Sequence, residues 1–230
     1  FIRPESDIMK NINSQENNVM MKDSDVQVAE ILQYNFRKSK FDEPRLNLLV
    51  PSINPEHVFG GISTALKFFN ELVEKSGYAS RIILTDALPS REGIRNFGKQ
   101  YRYVRCTKDL SDRHQLVPYS DRWNRSIPVS EKDIFVFTGW WTAYCTQEAY
   151  LKFEKETGIH PNPFLYFIQD YEPGFYPWST RYLLADSTYR NDRKQIAVFN
   201  SKLLYEFFKE NHYEFYREYA FEPVLNAGLK

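Results

Sequence analysis

The chain lacks most of what would tie it to nucleic acid, a bilayer or a metal. Thirty basic and thirty acidic side chains cancel, so no overall field draws nucleic acid or an anionic membrane surface to it. No apolar stretch approaches the roughly 20 residues needed to cross a bilayer, and the first residues carry no signal-peptide pattern. Cysteine is scarce. Cys106 and Cys145 stand alone, neither in metal-ligand spacing, which fits free thiols in a reducing cytoplasm and leaves a single disulfide open. Histidine is limited to His57, in a Pro-rich loop, and His114, His160 and His212, which have no partner identifiable from sequence. Ser/His/Asp and Cys/His nucleophile signatures are missing as well. The expectation is a soluble, cytoplasmic protein that does not bind nucleic acid.

Aromatic residues are plentiful, at 17% of 230 residues. That is more than a core of this size demands, so part of them belongs on a contact surface. Residues 1–43 are polar and read as an appendage, with one helical patch through Val26, Val28, Ile31, Leu32 and Phe36. This appendage is the candidate contact for a homodimer. From 44 to 230 the texture is that of one large domain. Leu46–Pro51, Arg81–Thr85, Tyr101–Cys106, Asp133–Thr138, Phe164–Ile168 and Gln195–Phe199 read as buried strands, with Tyr219–Val224 as a seventh. Helices fall between them. Ile62, Ala65, Leu66, Phe69, Leu72 and Val73 follow the helix period, and Gly77 is placed to stop that helix. Further helices are expected at about Thr142–Glu156, ahead of Gly158, near Ser179–Ser187, and after Ser201 with Leu203, Leu204, Phe207 and Phe208 buried. Buried strands alternating with amphipathic helices specify an α/β fold, a doubly wound, Rossmann-like parallel sheet.

In such a fold ligands bind outside the carboxyl ends of the strands, and three motifs fall there. After the first strand comes Phe59-Gly60-Gly61-Ile62-Ser63, whose glycines and helix start suit an anion. It is neither Gly-x-Gly-x-x-Gly nor a P-loop, so NAD binding and P-loop hydrolysis fit poorly. After the fourth strand comes Thr138-Gly139-Trp140-Trp141-Thr142, with one tryptophan free to face outward. After the fifth comes Gln169-Asp170-Tyr171-Glu172-Pro173-Gly174-Phe175-Tyr176-Pro177-Trp178. Carboxylates accept hydrogen bonds from sugar hydroxyls, an amide both accepts and donates them, and aromatic faces cover the less polar side of a pyranose. Asp170 and Glu172 are also spaced like an Asp-x-Asp metal site. The competing reading has the two carboxylates on different sides of the turn, one on a ligand and one on backbone.

Together the first and third motifs carry a resemblance. Leu48-Leu49-Val50-Pro51 leading into Phe59–Ala65 resembles the start of retaining GT-B glycosyltransferases. Phe167-Ile168-Gln169-Asp170-Tyr171-Glu172-Pro173-Gly174-Phe175-Tyr176 resembles bacterial rhamnosyltransferases of WsaF type, which build surface-layer glycans and related polysaccharides. The likeness covers roughly residues 40–230. It implies the N-terminal, acceptor-side domain of an enzyme moving L-rhamnose from dTDP-L-rhamnose to a growing glycan, with no metal or other cofactor. Gly60, Gly61 and Ile62 would approach the donor diphosphate. Asp170 and Glu172 would stand at the reaction centre, with Trp140, Trp141, Gln169, Tyr171, Tyr176 and Trp178 on the acceptor. Many relatives have His-Asp where this chain has Gln169-Asp170, so no histidine role carries over. A lipid-linked acceptor would bring the protein to the inner face of the membrane. The family's C-terminal nucleotide-binding domain has no counterpart in these residues, and the domain alone is expected to be inactive. Two other readings stay open at this point, a non-catalytic carbohydrate-binding or assembly module and a metal-dependent nucleotide-sugar transferase.

Overall fold

A computed structural model of the protein describes residues 28–222. The chain divides after Leu32 into two units. The first contributes one described 3-10 turn, Ala29–Ile31, and the second holds the sheet. Its strands are β1 (Phe36–Lys38), β2 (Arg45–Val50), β3 (Ala79–Leu84), β4 (Arg102–Tyr103), β5 (His114–Pro118), β6 (Ile127–Val129), β7 (Asp133–Phe137), β8 (Phe164–Ile168), β9 (Gln195–Phe199) and β10 (Arg217–Ala220). The helices are α1 (Gly60–Ser76), α2 (Arg91–Phe97), α3 (Trp140–Thr157), α4 (Thr180–Ser187) and α5 (Lys202–Glu210). None of the described helices is long and apolar enough to cross a membrane.

Eight strands form one parallel sheet in the order β10-β9-β8-β7-β2-β3-β5-β4. From β2 the chain winds outward through β3 to β4 and β5, then returns to the other side of β2 and continues through β7 to β10. The expected Rossmann-like α/β fold is therefore the observed one. Its winding reverses between β2 and β7, which is where such sheets open a crevice for ligands. Gly77 and Gly158 end α1 and α3 in the left-handed region, at φ +66° and +72°, a conformation that glycine adopts without a Cβ clash.

Alternation along the strands divides the two faces. Leu46, Leu48, Val50, Ile82 and Leu84 pack with Leu66, Phe69 and Val73 of α1. The opposite face of β2 and β3 carries Arg45, Asn47 and Arg81, all fully buried. The Arg45 guanidinium grips Asp133 with two bonds of 2.7 and 2.9 Å. Asn47 donates to the same carboxylate at 2.8 Å and accepts from Arg81 Nε at 2.7 Å. Arg81 also donates to the Pro128 carbonyl at 2.8 Å, which ties the small β1–β6 sheet to the main one. Burial foremost, with the Arg45 charge, pulls the Arg81 guanidinium down to about 9. Burial pushes the Asp133 carboxyl up, but the two arginines and the Ser130 N–H prevail and hold it below its usual range.

Several expectations are corrected. Phe36, read as part of a helical patch, lies in β1 and stacks on Phe135 at 5.4 Å; Val26 lies outside the described residues. Tyr101–Cys106 yields only the two-residue β4, and β5 takes the place beside β3. The strand expected at Tyr219–Val224 is β10, which ends at Ala220. Helix α3 starts two residues early, at Trp140, because Thr142 Oγ1 caps its start by accepting from the Thr138 and Gly139 N–H groups at 3.2 Å.

Candidate functional site

The carboxyl ends of β2, β7 and β8 are neighbours in the sheet, so the three motifs meet on one edge. Helix α1 begins at Gly60 with no side-chain cap. The N–H groups of Gly60, Gly61 and Ile62 have no hydrogen-bond partner among the described residues. Gly60 and Gly61 are exposed, whereas the Ile62 side chain packs into the core. A Cβ on Gly61 would lie 3.2 Å from Gln169 Oε1. That oxygen is itself buried and without a partner among the described residues. The glycine turn and the acidic-aromatic loop therefore lie side by side, with little room for a side chain between them.

The two carboxylates of that loop are used differently. Asp170 is exposed, and its Oδ1 accepts from the Tyr171 N–H at 2.8 Å. It lines a groove of about 520 Å³ together with Gln169, Tyr171, Phe175, Ser201, Leu203 and Phe207. Glu172 turns to the start of α3, where its Oε2 accepts from the Trp140 N–H at 2.6 Å and from the Tyr189 hydroxyl at 3.4 Å. A carboxyl oxygen there satisfies an orphan N–H of the helix start. The two carboxylates thus face different sides of the turn, and both accept from backbone, Asp170 from the Tyr171 N–H and Glu172 from the Trp140 N–H. Glu172 is a helix cap, which corrects its placement beside Asp170 at the reaction centre.

Burial pushes the Glu172 carboxyl up to about 8, against the pull of the Trp140 N–H and the Tyr189 hydroxyl, with Asp170 adding to the rise. Between pH of about 4.5 and about 8 the folded protein thus holds a proton that the unfolded chain has released. Stability falls as pH rises through that window. Glu172→Gln is expected to flatten the fall, by on the order of 2 kcal/mol, since partial exposure reduces the full effect of the shift. Urea unfolding at pH 5 and pH 8 measures it. A mutant and wild type with the same pH slope would show that Glu172 does not carry the dependence.

Trp140, expected on the acceptor, is fully buried. Its Nε1–H donates to the Tyr176 hydroxyl at 3.1 Å, and the two rings meet edge to face. Trp140 and Tyr176 are therefore a packed pair that holds the loop against α3, and Trp140 offers no face to a sugar. Trp141 is half-buried and folds over Gly139, where a Cβ would meet its ring at 2.9 Å. Trp178 is 78% exposed and leans on Tyr182 at 5.1 Å. His57 is exposed, with Nδ1 3.0 Å from Ser52 Oγ.

Two groups of residues escaped the sequence reading. Leu203 and Phe207 were expected on the buried face of α5. Only Phe208 of that helix is fully buried, and Leu203 is 78% exposed at the groove. Phe207 is 38% exposed and lines the same groove, and nothing in the apolar stripe itself separates these two residues from Phe208. Tyr182, Asp186 and Tyr189 come from α4 and the turn after it, Tyr213 from the segment after α5, and none of them gave a signal.

The family model described as "WsaF, N-terminal domain" matches residues 45–202, from the first residue of β2 to the first of α5. No curated protein matches the chain. The matched span contains the glycine turn, the tryptophan pair and the acidic-aromatic loop in full, and the chain therefore belongs to the WsaF N-terminal domain family, a glycosyltransferase-associated domain.

Proposed function

We propose that this domain is the acceptor-side half of a GT-B rhamnosyltransferase, which moves L-rhamnose from dTDP-L-rhamnose to a cell-surface glycan without a metal. The observation that carries the reading is the close approach of Gly61 to Gln169, which leaves little room for a side chain between them. It sets an uncapped helix start, suited to a diphosphate, directly beside a groove that carries the exposed Asp170 carboxylate. Breaking the bond between sugar and diphosphate leaves negative charge on the phosphate oxygens. Backbone N–H groups of Gly60, Gly61 and Ile62 answer that charge with a fixed, partly positive helix end. Asp170 then faces the acceptor hydroxyls, with Gln169, Tyr171 and Phe175 along the same wall.

A second Rossmann-like domain supplies the remaining nucleotide contacts in the complete enzyme. The surface supports such a neighbour. Phe59, Leu88, Trp123, Phe175, Trp178 and Leu203 are 61–79% exposed, and each follows the carboxyl end of a strand. Large apolar side chains gathered on one edge mark a contact surface.

The test is transfer by the full-length protein from a panel of nucleotide sugars to a glycan acceptor, with and without a chelator. Transfer from dTDP-L-rhamnose that survives the chelator is the expected result. Loss of transfer with the chelator would favour a metal-dependent enzyme, and glycan binding with no transfer from any donor would favour a binding module. Gly61→Val in the same protein is expected to lower transfer at least tenfold, because the side chain fills the gap toward Gln169 Oε1. Unfolding should shift by only about 1 kcal/mol, since the site is the exposed first turn of a helix. Unchanged transfer would remove the glycine turn from the site.

A further inference from the structure

Tyr171 stands between Asp170 and Glu172, and its hydroxyl is tied on both sides. It lies 3.1 Å from the Tyr182 hydroxyl and 2.9 Å from the Tyr213 hydroxyl. Tyr213 in turn donates to Asp186 Oδ1 at 2.5 Å. Each phenol has one proton and a carboxylate oxygen accepts, so the direction of the chain is fixed from its far end. The Tyr213 proton goes to Asp186, Tyr213 accepts from Tyr171, and Tyr171 accepts from Tyr182.

Asp186 is itself held. Arg190 Nε lies 3.3 Å from its Oδ2, and the guanidinium covers the Tyr213 ring at 3.8 Å. The same guanidinium donates to the Asn211 and His212 carbonyls at 3.3 and 3.4 Å. Those contacts pin the turn in which His212 adopts a left-handed φ of 57°. The Tyr171 ring meets Phe207 at 5.0 Å and Phe208 at 5.8 Å. Helices α4 and α5 and the turn after α5 thus converge on one side chain of the loop.

We propose that Asp186, acting through Tyr213, is a positioning residue that locks Tyr171 and so holds the Asp170–Glu172 segment at the groove before any ligand arrives. This rests on the acceptor-side reading above. Small displacements of a reacting carboxylate cost large factors in rate, and Asp170 is adjacent to the locked ring. Breaking the chain at Tyr213 leaves Asp186 Oδ1 and the Tyr171 proton without partners, although Arg190 still holds Oδ2, so the loop loses its anchor while the sheet keeps its core.

The experiment compares Tyr213→Phe and Asp186→Asn with wild type in the full-length protein, by amide exchange of residues 170–175 and by steady-state transfer. The expected result is at least fivefold faster exchange in that segment, unchanged exchange in β8 and β9, and a tenfold lower kcat with donor KM within twofold. Exchange that is unchanged in 170–175, or faster exchange with unaltered kcat, overturns the proposal. Should either variant fail to fold, Tyr182→Phe removes only the outer donor and is expected to show the same pattern more weakly; its absence there overturns the proposal equally. If wild type transfers nothing, the activity reading fails, and exchange alone decides whether Asp186 positions the loop.

Discussion

Replacing Asp133 by alanine is expected to remove about 3–5 kcal/mol of stability, the usual result of breaking a buried ion pair from one side. The carboxylate serves two guanidinium groups in a region with no exposure to solvent. Arg45 reaches both of its oxygens, and Arg81 Nη2 lies 3.9 Å from Oδ1. Alanine leaves both cations buried without a counter-ion, and also leaves the Ser130 N–H, which donates to Oδ2 at 2.7 Å, without an acceptor. Domains of this kind have only about 5–15 kcal/mol to lose, so the variant should be largely unfolded at elevated temperature. Urea titration measures the effect as a lower midpoint at an unchanged slope. A change below about 1 kcal/mol would show that the network contributes little. The network lies at the amino ends of β2 and β7, opposite to the groove, so its loss tests the fold separately from the site.

Replacing Asp170 by asparagine should have the largest effect on chemistry with the least on structure. Its one described hydrogen bond is to the neighbouring Tyr171 N–H, and an asparagine oxygen accepts that bond equally well. What changes is charge in the groove. If the proposed transfer holds, its rate in the full-length protein is expected to fall at least tenfold, with nucleotide affinity within twofold and the unfolding midpoint unmoved. A drop confined to kcat would mean that the carboxylate acts in the transition state. A rise confined to acceptor KM would mean that it only binds. Unaltered turnover would remove Asp170 from the site. Glu172→Gln is expected to change the pH dependence of stability more than turnover, since its carboxylate serves the start of α3.

The sequence reading located β8 and β9 to the residue, because both are short apolar runs bounded by polar residues. It placed Gly77, Gly158 and the Ser201 cap correctly, since each has a local conformational reason. It failed where burial is conferred by neighbours. The segment His114–Pro118 is flanked by charge and closed by proline, yet it is a strand because β3 and β4 bracket it. Pro128 sits within β6, where the Asn35 carbonyl bonds the preceding Ile127 N–H and the missing proline donor is tolerated. Within the site, the position of the acidic-aromatic loop was legible, but the division of labour between Asp170 and Glu172 was not. That division depends on where α3 begins relative to β8, a tertiary fact with no local signature. Trp140 is the same case: its burial follows from Tyr176 closing over it.

The most direct test of the central claim is a crystal structure of the full-length protein with an acceptor glycan and a non-transferable dTDP-L-rhamnose analogue. The account predicts the acceptor in the groove between the 169–175 loop and α5, with a sugar hydroxyl within hydrogen-bond distance of Asp170. It predicts the donor diphosphate facing the N–H groups of Gly60, Gly61 and Ile62. An acceptor bound away from the carboxyl edge of β2, β7 and β8, or a diphosphate that never approaches the start of α1, would contradict it.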